Sequence, residues 1–153
     1  MQYFEFSKNV IPLVVSELAT AEQFIKIAMF QIHQSEIFDT LSQKIDQGVK
    51  VEILTLPYDS INVNVRDMVT KRFKDLEVKG AILHFCRWNI GDPERTSTAT
   101  GRWYSFHGKF IVTDRAAIAL SANFTDKCEL DAMLMYKDDE VKIHEFNQKF
   151  DEL

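Results

Sequence analysis

The segment Phe106-His107-Gly108-Lys109-Phe110-Ile111-Val112-Thr113-Asp114 sets an imidazole two residues from an ammonium and places a carboxylate five residues further on. In an extended strand, positions two apart share a face, so His107 and Lys109 project together. Gly108, between them, presents no side chain to the other face. Seven residues past Asp114 comes Ser121-Ala122-Asn123. If the two segments pair as a hairpin, Ser121 and Asn123 return towards His107 and Lys109. An imidazole, an ammonium, a hydroxyl and an amide would then surround one pocket.

That set suits phosphoryl transfer. A phosphodiester carries negative charge and gains more on its equatorial oxygens as it is attacked. Lys109, Asn123 and Ser121 are the expected donors to those oxygens. His107 is the expected nucleophile, forming a phosphohistidine. A second histidine is needed to protonate the leaving oxygen. The barrier to be removed for the slowest phosphate esters is roughly 20 kcal/mol, too much for one histidine acting alone. The chance of meeting both motifs at this offset in a random chain is on the order of one in ten thousand, so an accidental match carries small weight.

The elements that must hold these residues alternate between strand and helix. Apolar spacing predicts a helix over residues 10–20, with Asn9 as N-cap and Pro12 in the first turn. A nearly continuous apolar run predicts a strand over 24–32, then a helix over 35–47 capped by Ser35 and ended by Gly48. A strand over 49–56, a turn over 57–60, a helix over 63–78 ended by Gly80 and a short strand over 81–86 follow. Residues 87–101 are polar, with Pro93, Gly91 and Gly101, and read as a long exposed loop of the kind that is often functional. Strands over 104–113 and 116–121, joined tightly at Asp114-Arg115, a strand over 131–136 and a terminal helix over 138–150 complete the pattern. Strands buried on both faces and separated by helices imply an α/β sandwich around a central mixed sheet.

The chain of 153 residues is 46% hydrophobic, which suits a single domain with a real core. No apolar run is long enough for a membrane span, and residues 1–8 lack a secretory pattern. Cys86 and Cys128 lack metal-ligand spacing and read as buried free thiols in a reducing, cytoplasmic setting. The formal charge is -5, and residues 138–153 alone carry six acids against two lysines. Over residues 79–109 the balance reverses, with Lys79, Arg87, Arg95, Arg102 and Lys109 against Asp92 and Glu94. Such a local basic stretch permits polyanion binding on an acidic chain.

The His107-x-Lys109-x4-Asp114 and Ser121-x-Asn123 motifs resemble the signature of the phospholipase D superfamily. The early strand, the helix ending Lys44-Ile45-Asp46-Gln47-Gly48 and the following strand resemble that family's lead-in, so the likeness covers essentially residues 1–153 as one catalytic domain. It implies a phospholipase D-like α/β/α sandwich and a nucleophilic His107. It also implies that Lys109 and Asn123 hold the phosphate, that Asp114 acts structurally, and that no metal or other cofactor is required. Leu120 stands where the family usually has glycine. The family also places a carboxylate near the start of the last strand to orient the histidine. Glu129 is the first choice for that role and Asp131 the alternative.

The family's active site uses two such motifs, and this chain has one. Small single-motif members form a symmetric dimer, so a homodimer is expected, with the second His107 as acid. The expected function is DNA cleavage, with RNA as an alternative, in a module of a restriction or repair system. A specificity domain or partner outside this chain would select the sequence. Arg87, Arg95 and Arg102 are expected on backbone phosphates, and Trp103 with Trp88 on bases or over the core. His84 reads as a core histidine, and His33 and His144 as surface residues. A phospholipid phosphodiesterase or transferase, or a degenerate nucleic-acid-binding module of the same fold, are the competing readings.

Overall fold

A computed structural model describes residues 1–7, 9–85, 108–125 and 131–153. The expected loop over 87–101 and the strand positions 104–107 lie outside the described residues. So do His107, Glu129, Arg87, Arg95, Arg102, Trp88, Trp103 and both cysteines.

In chain order the elements are β1 (Gln2–Ser7), α1 (Ile11–Leu18), β2 (Phe24–Met29), α2 (Ser35–Asp46) and β3 (Lys50–Thr55). A short 3-10 turn (Tyr58–Ser60), α3 (Arg66–Val78), β4 (Ile82–Phe85), β5 (Lys109–Thr113), β6 (Ala116–Leu120), β7 (Asp131–Lys137) and α4 (Glu140–Asp151) follow. The described strands form one mixed sheet in the order β1-β7-β6-β5-β2-β3-β4. β2, β3 and β4 run parallel, and the remaining pairs are antiparallel.

Strand alternation divides the apolar residues between two layers. Ile25, Ile27 and Met29 of β2 and Ile111 of β5 join the main core with α1, α2 and α3. Phe38 of α2 and Phe73 of α3 meet there edge to face, with ring centroids 5.0 Å apart. Ala28, Leu54 and Phe110 face the other way and pack under Phe150 of α4. The result is a mixed sheet between helical layers, as the sequence pattern implies.

Gly48 and Gly80 stop α2 and α3 by taking positive φ, at 87° and 113°. In both, the glycine N–H and the N–H after it return to the last helical turn: Gly48 to Ile45 and Val49 to Lys44, Gly80 to Glu77 and Ala81 to Leu76. This paired bonding is the Schellman arrangement. The helix starts differ from expectation. Ser35 is the first residue of α2 rather than its cap, and Gln34 makes no side-chain capping bond. Asn9 Oδ1 accepts from Ile11 N–H at 3.1 Å, ahead of Pro12 in the first turn of α1.

Two further features depart from the sequence reading. β1 pairs antiparallel with β7 along the sheet edge, and the main-chain amine of Met1 reaches Lys137 O at 2.6 Å. His84 is not a core residue. It lies exposed on edge strand β4, with its Nε2 3.1 Å from Glu52 Oε2.

Candidate active site

One edge of the sheet collects the C-terminal ends of β2, β3, β4 and β6 and the N-terminal ends of β5 and β7. Lys109 opens β5 opposite Met29 at the end of β2. Phe30 N–H donates to Gly108 O at 3.2 Å, which carries the pairing past the strand itself. Phe110 pairs with Ala119, so β6 returns Leu120 and Ser121 to the level of Lys109 and Gly108. Asp131 opens β7 at the same edge, and Ser121 N–H donates to Ala132 O at 3.0 Å.

The segment holding Asn123 is clamped from β2. Phe124 N–H donates to Gln31 O at 3.1 Å, while His33 and Gln34 N–H groups donate to Phe124 O at 2.6 and 3.2 Å. Phe124 itself is 1% exposed and anchors the segment in the main core. Asn123 is thereby fixed beside the β2–α2 turn. Its Oδ1 is buried and has no hydrogen-bond partner among the described residues.

Ser121 and Asp131 form a closed unit. Asp131 is 3% exposed, and its Oδ1 accepts from Ser121 N–H at 3.2 Å, from Ala122 N–H at 3.0 Å and from the Ser121 hydroxyl. The Ser121 oxygen in turn accepts from Ala132 N–H at 2.9 Å. A hydroxyl has one proton, and here Asp131 takes it. Ser121 and Asp131 together fix the turn that delivers Asn123.

Asp114 lies at the far edge, in the turn between β5 and β6. Five residues of strand separate it from Lys109, about 17 Å at the usual rise. Its carboxylate accepts from the N–H groups of Glu22 at 3.1 and 3.2 Å, Gln23 at 3.0 Å and Phe24 at 3.3 Å. It therefore ties the β5–β6 turn to the start of β2, and it is too far from Lys109 to share a phosphate.

The described residues thus bring together Lys109, Ser121, Asn123 and Asp131, and separate Asp114 from them. The clamp by residues 31–34 has no clear mark in the sequence beyond the end of an apolar run at Ile32.

A family model described as "Cardiolipin synthase, PLD-like domain" matches residues 14–153. The chain belongs to the phospholipase D superfamily. Among solved structures, this superfamily chain is similar to Nuc from Salmonella typhimurium, with a TM-score of 0.75 and 16% identity over 99% of this chain and 92% of that one. NucT from Helicobacter pylori gives a TM-score of 0.71 and 13% identity over 99% and 95% of the two chains. Phosphatidylserine synthase from Haemophilus influenzae Rd KW20 gives a TM-score of 0.65 and 14% identity, covering 99% of this chain but 37% of that one. No curated protein matches the chain by sequence. At these identities the structural likeness establishes the phospholipase D fold. Among the described residues, no helix is long and apolar enough to cross a membrane.

Proposed function

We propose that this chain is a metal-independent phosphodiesterase that cleaves DNA through a phosphohistidine on His107, in a site completed by a second copy. The observation that carries the reading is the convergence of Lys109 and Asn123 at one sheet edge, with Asn123 held by the Ser121–Asp131 unit and by the β2–α2 turn. In this reading Lys109 neutralises a phosphate oxygen and the Asn123 amide donates to another, both gaining strength as charge builds at phosphorus. His107 attacks, the N–P bond forms, and the P–O bond to the leaving group breaks. The leaving oxygen takes its proton from His107 of the partner subunit. That imidazole, now neutral, deprotonates a water that attacks phosphorus and releases His107.

Similarity to Nuc, printed as a phospholipase D family member, and to NucT, each matched over most of its length, supports a compact one-domain member of that family. A phospholipid substrate is the second reading, favoured by the description of the matching family model and by the likeness to a phosphatidylserine synthase. Plasmid and oligonucleotide cleavage in excess EDTA, beside a phosphatidylcholine substrate and a His107→Ala control, separates the two. DNA cleavage that survives EDTA and is lost in the variant supports the proposal. Cleavage confined to the lipid, or abolished by EDTA, overturns it. An active monomer in light scattering at working concentration overturns the shared site.

A further inference from the structure

The site edge continues past Lys109 to an aromatic pair. Lys109 pairs with Met29; Ala28 pairs with Leu54, which brings Met29 level with Thr55; and Thr55 pairs with Phe85. A row of backbone positions thus crosses β5, β2, β3 and β4, with Phe85 about 14 Å from Lys109 at the usual strand spacing. Phe85 ends edge strand β4 and leaves 40% of its surface in solvent. Its ring stands edge to face with Tyr58, with centroids 4.9 Å apart. Tyr58 leans in turn on buried Phe73, with centroids 6.4 Å apart, so the outer ring has a firm backing. The Lys74 ammonium lies 5.9 Å from the Tyr58 ring centroid.

The Phe85 ring is braced from behind and partly open to solvent; the Lys74 ammonium lies over the Tyr58 ring that backs it, and Lys109 stands in the same row. Aromatic faces next to positive charge are how proteins hold single-stranded nucleic acid, each stacked base contributing about 1–3 kcal/mol. About four nucleotides of a stacked strand, at roughly 3.4 Å per phosphate, span the distance from Lys109 to Phe85. We propose that Phe85, backed by Tyr58, is a stacking platform for a base of single-stranded DNA whose scissile phosphate sits at Lys109. This rests on the DNA reading above and adds that the substrate strand is unpaired at the platform.

The test is fluorescence anisotropy with a labelled single-stranded oligothymidine and the matching duplex, in a His107→Ala background so that no cleavage intervenes. Adding Phe85→Ala should weaken single-strand binding about tenfold, in line with the loss of one stacked base. Phe85→Trp should retain it, and duplex binding should change less than twofold. Equal weakening for single strand and duplex overturns the platform, as does unchanged single-strand affinity. A loss that Phe85→Trp fails to rescue, accompanied by a lower Tm in both variants, marks a packing role and also overturns it. Because binding is read without cleavage, a chain that binds single strands through Phe85 but cuts no DNA would refute the nuclease reading and leave the platform standing.

Discussion

Replacing Asp131 by alanine is the sharpest probe of how the site is held. The substitution removes an acceptor that is 3% exposed from three donors, the Ser121 and Ala122 N–H groups and the Ser121 hydroxyl, of which the Ser121 N–H keeps Ala132 O. A hydrogen bond to a charged group contributes about 1.5–3 kcal/mol, and water can partly replace those at exposed Ser121, so a loss of about 3 kcal/mol is expected. For a chain of this size that corresponds to a fall in Tm of roughly 10 °C. Asp131→Asn keeps an acceptor at the same place and should lose about half as much. Ser121→Ala alone should cost about 1 kcal/mol, and the two alanine substitutions together should cost less than their sum by about 1 kcal/mol, because they break one shared bond. Urea denaturation of the four proteins measures the cycle. A suitable control is Glu145→Ala on α4, whose carboxylate accepts from exposed Lys142 at 2.7 Å. An Asp131→Ala protein no less stable than that control, or strictly additive variants, would refute the bracing role.

Two further outcomes follow from the same geometry. Asp114→Ala should destabilise the fold by about 2 kcal/mol by releasing the amides of residues 22–24, as seen in chemical denaturation, while phosphodiester turnover per folded molecule falls less than fivefold. A turnover loss of several hundredfold with unchanged stability would overturn that structural role. Gly80→Ala meets no atom within 4 Å, so its cost is that of a left-handed backbone alone, about 1–2 kcal/mol in thermal melts. A neutral result would mean that α3 can end without φ near 113°.

Much of this architecture is legible in the sequence because it rests on local periodicity. β2 shows as an apolar run interrupted only by Lys26, and α2 as Ile37, Phe38 and Leu41 on one face before Gly48. β1 does not show, because an edge strand with most residues exposed carries no burial pattern, and its pairing is fixed by β7 at the far end of the chain. His84 misleads for a related reason. Its neighbours in sequence are apolar, but β4 is an edge strand, and no sequence spacing reveals which strand stands at an edge. At the site, Lys109, Ser121 and Asn123 stand out in the sequence by type and spacing, and the register of β5 against β2 and β6 places Lys109 and Ser121 at one sheet edge. What Ser121 does there depends on a proton partner ten residues away, and that only the register of β6 against β7 decides.

The pairing of β1 with β7 also bears on when the site can exist. The first strand of the chain has no partner until residues 131–137 are present, and Asp131 cannot brace Ser121 before then. The contact between Met1 and Lys137 spans 136 positions, so its closure carries a larger entropic cost than the local turns do. A ribosome-bound chain ending before β7 therefore lacks the brace that fixes Asn123. The brace that positions Asn123 is therefore complete only once residues 131–137 have been made.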